Sequence, residues 1–524
     1  MTTAHLKKRN VPSQKKQRQD ILLAFATVML FYLAFPSGGY GNLAWLAITP
    51  VIIALNNAHG RYAFMLGLLT ATLGWMCSIW WVVDGLTKVT YSQSNIVIPF
   101  VFLFCLFSAL PYAIACWLHA RFSWGSSIVG IFKSATVFTV LVNYIPSILP
   151  GNLAHALYLS PLQIQLIDIG GVPILFFIIH LVNFLLASAV INRKKAQQKS
   201  VSCLLLALSI WLLNYGYGYI KTTYLLNKTA SVDMTIAIIQ PNLAVNLRSR
   251  EDWLQKAPQV QSLISQAVNN HHTDLIILPE IPVPVSYKYY PQDKIIFDQI
   301  LKNKSLLLTA IEPINKQLNE SNSYHNTIEL IENQHVTHSY QKQKLLPIGE
   351  YLPFEKQLPM LRALFPNAPN YVPGKLNTII PLELDEQTIN IVPLICYEAV
   401  FTDLVANGVA NGGQVFINTV NDAWFGDTAG RNVHLALALY RTLEYRKPLI
   451  RVTNNGMSNV INMKGQILPD SQIPPFTAGV AVSTVEIADI SSFYQNYPYA
   501  FMIFCLLFGG YAIISAQRKL NEQY

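Results

Sequence analysis

The sequence predicts a polytopic α-helical membrane region, with eight transmembrane helices, joined to one exterior α/β domain. Three features predict it. Of 524 residues, 52% are hydrophobic and only 12% charged, where a soluble globular domain carries about 25% charge. Eight apolar runs punctuate the chain, and one long polar segment between the last two carries short β-branched runs. The composition excludes an ordinary cytosolic enzyme and a disordered chain.

Seven apolar runs precede residue 222, at roughly 20–36, 43–56, 62–83, 95–118, 125–147, 165–190 and 202–220, and an eighth covers about 498–516. A bilayer-spanning helix needs about 20 mostly apolar residues. The run from Leu43 to Leu55 is short and contains Pro50, so it is the weakest span. The first run lacks a small-residue cleavage site and reads as a retained anchor.

The net charge of +9 is not a polyanion-binding face. Lys7, Lys8, Arg9, Lys15, Lys16, Arg18, then Arg193, Lys194, Lys195, Lys199, then Arg518 and Lys519 lie in short segments beside apolar runs. Counted with Arg61 and Arg121, the basic residues fall on alternate connections, which selects eight spans with both termini cytoplasmic. The expected boundaries are a cytoplasmic basic tail (1–19), a seven-helix region (20–221), the exterior domain (222–497), an eighth helix (498–517) and a cytoplasmic tail (518–524). Lys133 and Asp168 are too few intramembrane charges for a coupled ion path.

Within 222–497, strands are expected at Thr235–Gln240, Leu275–Glu280, Leu306–Ile311, Thr327–Ile331, Ile389–Ile395, Val415–Thr419, Leu449–Thr453, Ser458–Met463 and Val480–Val485, with helical patterns at 250–269 and 432–447. This alternation predicts a mixed sheet with helices on its outer faces. Five of six cysteines (Cys77, Cys105, Cys116, Cys203, Cys505) sit in apolar runs, where Cys behaves as a small hydrophobe. Cys396 alone lies in the exterior segment, so neither a disulfide framework nor a cysteine zinc site can form there.

Three polar residues fall where strands end. Leu275-Ile-Ile-Leu-Pro-Glu280 is a buried strand closing on a carboxylate; Lys342 precedes a Pro/Gly turn that closes on Glu350; Ile389–Ile395 runs into Cys396-Tyr397-Glu398. A thiol at a strand-to-helix turn is open to attack and is expected to have a lowered pKa there. A nearby Glu can take its proton, and a Lys can stabilise an oxyanion. Singly, each has an ordinary alternative: a core cysteine, a surface carboxylate, a solvated Lys342–Lys344 pair. His335 and His338, with Glu332 near, read as loop histidines because no zinc spacing results.

Together these strings resemble the carbon–nitrogen hydrolase (nitrilase) superfamily, whose catalytic Glu, Lys and Cys occur in that chain order. Asn421-Asp-Ala-Trp-Phe-Gly426 and Thr453-Asn-Asn-Gly456 extend the resemblance over roughly 233–490. With seven spans before that domain and one after, the whole chain resembles the superfamily's membrane-bound apolipoprotein N-acyltransferases. The resemblance implies a nitrilase-like α-β-β-α sandwich, with Cys396 as nucleophile, Glu280 as proton acceptor and Lys342 as oxyanion stabiliser. Glu350, Tyr397 and Glu398 would support them. It also implies no cofactor and no metal. The partners would be a phospholipid acyl donor, a diacylated apolipoprotein acceptor and the lipid bilayer, with no nucleic acid. The protein would be a monomer of the bacterial inner membrane, its catalytic domain on the periplasmic side. The family commonly has a Lys-Trp pair where this chain has Arg248-Ser249, which leaves Trp253 as the residue able to take that lipid-gripping place. Leu358–Pro369, running on to about Pro373, is a candidate lid. A membrane-anchored amidase acting on a small amide, or a transport or scaffold protein, are the rival readings. Reporter fusions at residues 90, 196 and 350 should read outside, inside and outside; an inside signal at 350 would overturn the topology.

Overall fold

Whether an apolar run becomes one long helix depends on its length and on where proline and unpaired backbone groups fall. The computed structural model describes residues 13–90, 93–145, 151–226, 232–244, 250–269, 272–280, 285–301, 304–314, 323–366, 368–375, 378–384 and 387–522. Arg248-Ser249 and most of the basic N-terminal tail lie outside the described residues. The chain divides into two units: Met1–Trp80, Pro99–Ile220 and Tyr497–Tyr524 form one, Trp81–Ile98 and Lys221–Asn496 the other.

The helices up to residue 226 are α1 (Gln14–Ala34), α2 (Thr49–Ala54), α3 (Gly60–Ile79), α4 (Trp81–Thr90), α5 (Ser94–Arg121), α6 (Ile128–Asn143), α7 (Ile167–Asn192) and α8 (Gln197–Leu226). Among the described residues, α3, α5, α7, α8 and the C-terminal helix Ala500–Asn521 are long and apolar enough to cross a membrane. The expected eight exceed these five for identifiable reasons. Lys15, Lys16, Arg18 and Asp20 charge the first turns of α1, and α6 has only 16 residues. The second run is a broken segment: a short 3₁₀ turn, then the six-residue α2. Pro50 stands in the first turn of α2, where its missing N–H leaves no helical hydrogen bond unmade. Asn183 completes the break, its Oδ1 accepting from the Ile48 and Thr49 N–H groups at 3.0 Å and its Nδ2 donating to the Ala44 carbonyl.

In the second unit, alternation of period two sets the layers, because successive side chains of a strand point to opposite faces. Its strands are β1 (Val232–Gln240), β2 (Leu275–Ile277), β3 (Ser305–Pro313), β4 (Tyr324–Glu332), β5 (His335–Gln341), β6 (Ile380–Leu384), β7 (Gln387–Ile395), β8 (Val415–Val420), β9 (Leu449–Thr453), β10 (Asn459–Ile461) and β11 (Gly479–Ile487). Its further helices are α9 (Arg250–Val268), α10 (Pro291–Leu301), α11 (Met360–Leu364), α12 (Thr402–Ala410) and α13 (Gly430–Tyr445). The expected mixed sheet is two sheets, ordered β11-β1-β2-β3-β4-β5 and β10-β9-β8-β7-β6. Ile236, Ile238 and Leu307 of the first pack with Ile391, Ile417 and Ile450 of the second. Burying such a side chain contributes about 1.5–3 kcal/mol. On the opposite face of the first sheet, Ala237, Ile239 and Ile276 pack against Trp253 of α9 and Phe297 of α10. Helices α12 and α13 lie against β7 and β9. The result is an α-β-β-α sandwich of nitrilase type.

Two local expectations are corrected here. His335 and His338 belong to strand β5 and not to a loop; their polar, half-exposed pattern hid the strand. Trp253 is not available to grip lipid: it is fully buried and donates Nε1–H to Asp293 at 2.9 Å. Asp293 also accepts both Arg250 guanidinium nitrogens and the Ser286 N–H, so Trp253 anchors α9 to α10. Trp253→Ala should cost about 3–5 kcal/mol of stability, read as a lowered melting temperature of the purified protein.

Candidate active site

Strand β2 is buried throughout, and Pro279 ends its extended run just before Glu280. The Glu280 carboxylate accepts from Asn326 Nδ2 at 2.8 Å and from the Asn421 N–H at 3.2 Å. Lys342 follows β5 directly. Its N–H donates to the Asn326 carbonyl and its own carbonyl accepts from Gly374, which pins the backbone on both sides. Its side chain is only 1% exposed, and its ammonium lies 2.6 Å from Glu350 and 3.8 Å from Glu280. The Pro/Gly turn explains Glu350: Ile348 takes the left-handed region at φ 67°, and Glu350 turns its second oxygen back to the Leu346 N–H at 2.7 Å.

Cys396 opens a 3₁₀ turn at the end of β7, with φ 51°. A left-handed non-glycine residue costs roughly 1–3 kcal/mol and persists only where its surroundings fix it. Here two donors hold its carbonyl: Asn418 Nδ2 and His434 Nε2, each at 3.2 Å. The thiol lies within electrostatic reach of both Glu280 and Lys342. Thus Glu280 and Lys342, from the first sheet, meet Cys396, from the second.

The electrostatics correct one expectation. The thiol pKa is not lowered by the strand-to-helix turn. Burial, then the Glu280 carboxylate, push it well above its ordinary value, and Lys342 only partly offsets them. Burial also raises Glu280, helped by Glu350 and opposed by Lys342. Burial works against the Lys342 ammonium too, but Glu350 and Glu280 outweigh it and hold its pKa above the usual lysine range.

Glu398 does not face this cluster as a free carboxylate. It accepts from Tyr340 Oη at 2.8 Å, Gln343 N–H at 2.6 Å, Lys344 N–H at 3.1 Å and Ile395 N–H at 2.8 Å. It therefore clamps the Lys342 segment to the Cys396 turn, and burial raises it to about 7 against those donors. Tyr397 packs edge-on against Phe401 at 4.7 Å. Lys344 pairs with the exposed Asp403 at 2.9 Å, as a solvated lysine should. Among the described residues no His, Cys, Asp and Glu cluster could hold a metal ion.

Sequence reasoning missed the groups behind the thiol. Arg451 donates to Asp422 at 2.9 Å and to Asn418 at 2.9 Å, while His434 Nδ1 lies 3.2 Å from Asp422 and 3.3 Å from Arg451 Nη2. Arg451 sits inside an apolar strand, which was the available signal. Gly456 belongs to the same web, because a Cβ there would lie 2.1 Å from Asp422 Oδ2. Asn326, too, carried no signal beyond its place in a strand.

A family profile described as carbon-nitrogen hydrolase matches residues 235–495, and one described as the apolipoprotein N-acyltransferase N-terminal domain matches residues 28–185. The chain belongs to the apolipoprotein N-acyltransferase family. It is similar to an apolipoprotein N-acyltransferase of Geobacter metallireducens, at 26% identity over 95% of both chains. Another, from Vibrio vulnificus, is 28% identical over 71% of this chain and 72% of its own. A solved amidase from Nesterenkonia sp. is 20% identical over 51% of this chain and 94% of its own, with a TM-score of 0.37. As a family member the chain is an enzyme of the carbon–nitrogen hydrolase superfamily, and its relatives are named for acyl transfer to apolipoproteins.

The raised thiol has a measurable consequence. Alkylation of Cys396 by iodoacetamide, followed by mass spectrometry, should accelerate only above pH 9, later than for an exposed cysteine. Lys342→Met removes a positive charge that lowers this pKa and should move the midpoint further up; a midpoint that falls instead would contradict the assignment.

Proposed function

We propose that the protein transfers a fatty acyl chain from a membrane phospholipid to the α-amino group of the N-terminal S-diacylglyceryl-cysteine of apolipoproteins, through a thioester on Cys396. The observation that carries this reading is the buried Lys342 ammonium held between Glu350 at 2.6 Å and Glu280 at 3.8 Å, within electrostatic reach of the Cys396 thiol. Both substrates are lipids, and each CH₂ taken out of the bilayer costs about 0.8 kcal/mol, so the site must work at the membrane surface. The proposed topology holds it there: seven spans before residue 222, one at 498–517, both termini cytoplasmic, and residues 222–497 on the periplasmic side of a bacterial inner membrane. The enzyme would act as a monomer.

In the first half, Cys396 Sγ attacks the donor ester carbon as its proton passes to Glu280. The C–O bond then breaks, and Glu280 returns the proton to the departing lyso-lipid oxygen. Lys342 stabilises the tetrahedral oxyanion. In the second half, the acceptor amine forms the C–N bond, Glu280 takes its proton, and the S–C bond breaks to restore the thiol. A carboxylate raised by burial is the better base near neutral pH. Glu350 holds the Lys342 ammonium, and Tyr397 and Glu398 set the turn that carries Cys396. The segment around α11 serves as a lid against water, the competing nucleophile; its Leu358 and Met360 are 48% and 65% exposed, apolar surface suited to acyl chains.

The test uses labelled phospholipid and a diacylated lipopeptide. Wild-type protein with donor alone should accumulate a thioester on Cys396, and the lipopeptide should discharge it into an N-acylated product. Cys396→Ala and Glu280→Gln should form none, and Lys342→Met should slow its formation by about 10²–10³. Rapid fatty-acid release with no amide product would instead show a hydrolase.

A further inference from the structure

Helix α4 follows α3 directly in the chain, yet it belongs to the same unit as the two sheets. Trp81, Gly85 and Lys88 recur at i, i+4 and i+7 and so share one face of it. That face lies against the segment from Asp422 to Gly430. The Trp81 ring meets Phe425 edge-on at 4.9 Å, and a Cβ on Gly430 would come within 2.7 Å of the Trp81 ring. A Cβ on Gly85 would stand 3.7 Å from the Trp424 carbonyl oxygen, and one on Gly426, itself at φ 57°, would stand 2.8 Å from Lys88 Nζ. Gly430 therefore lets α4 and this segment approach closely, since a side chain there would overlap the Trp81 ring.

The contact continues inward. Phe425 meets the His434 imidazole edge-on at 5.8 Å, and His434 Nε2 lies on the Cys396 carbonyl. Asp422 and Arg451 both face Nδ1. Since a carboxylate cannot donate, a neutral imidazole accepts at Nδ1 from Arg451 and donates from Nε2–H to Cys396. That donation requires the ring to keep its tilt, and Phe425 packs against the ring that must keep it.

We infer that α4 is a positioning element for the thiol: Trp81 seats Phe425 against His434, His434 holds the Cys396 carbonyl, and the held carbonyl fixes the left-handed turn that aims Sγ at Glu280. The inference rests on the reading of Cys396 as the nucleophile. Small misplacement of a reacting group can cost about 10²-fold in rate, so a ring contact remote from Sγ is enough to matter.

The test is a double-mutant cycle on the full-length protein, reading single-turnover thioester formation. Trp81→Ala should slow it roughly tenfold to a hundredfold, with the half-saturating donor concentration unchanged. Trp81→Phe, which keeps an aromatic edge on Phe425, should restore most of the rate. In a His434→Ala background, Trp81→Ala should cost less than about twofold more, because coupled residues are not additive. Equal factors in both backgrounds, or a loss confined to half-saturation, would overturn the inference. If Trp81→Ala does not fold, Phe425→Leu carries the same cycle. Iodoacetamide alkylation of Cys396 separates the two readings. A wild type that forms no thioester, but whose alkylation rate follows the same cycle, defeats the acyl-transfer reading alone. A wild type that forms the thioester while Trp81→Ala leaves alkylation unchanged defeats the positioning role alone.

Discussion

A lysine ammonium with 1% of its side chain exposed must have its charge compensated, and this requirement organises the site around Lys342. Leaving such a charge unpaired costs about 3–5 kcal/mol. Glu350 at 2.6 Å and Glu280 at 3.8 Å supply the compensation, but two carboxylates exceed one ammonium. The surplus negative charge, added to burial, raises Glu280 and the Cys396 thiol together. The thiol is consequently stored protonated, on a base that can accept its proton when a substrate carbonyl arrives.

That cluster exists only where two sheets meet. Glu280 and Lys342 follow strands of the six-stranded sheet and Cys396 follows a strand of the other. The packing of Ile236, Ile238 and Leu307 against Ile391, Ile417 and Ile450 brings the sheets together without regard to chemistry. Registration at the site is finer and polar. Glu398 takes hydrogen bonds from Tyr340, Gln343 and Lys344 on one side and from Ile395 on the other. Behind Cys396, the Arg451–Asp422–His434 and Arg451–Asn418 links converge on a single carbonyl. Satisfied buried networks of this kind rigidify, because each member left unpaired would carry a desolvation cost.

Legibility varied with how local the signal was. The central strands β1, β7, β8 and β9 were readable because apolar β-branched runs bounded by turns have few other solutions. The strand β5 was not, since an edge strand can be polar on both faces, and His335 and His338 read as loop. The second apolar run was the least legible of the eight, because hydropathy does not register that Asn183, far along the chain, caps its backbone break. Trp253 looked available for lipid because its partner Asp293 lies forty positions away.

By itself the sequence determined the membrane character, the α/β character of residues 222–497, and the three strings that carry Glu280, Lys342 and Cys396, because composition, periodicity and short spacing are one-dimensional properties. Only the tertiary structure decided that the sheet is two sheets, that Glu398 is a clamp, that α4 joins the unit of the two sheets, and that Asn326, Asn418, Asp422, His434 and Arg451 surround the candidate site. It also reversed the direction of the Cys396 pKa. The physical reason is common to all of these. Burial, charge–charge interaction and hydrogen-bond satisfaction depend on distance through space, and those distances are set only when the two sheets pack.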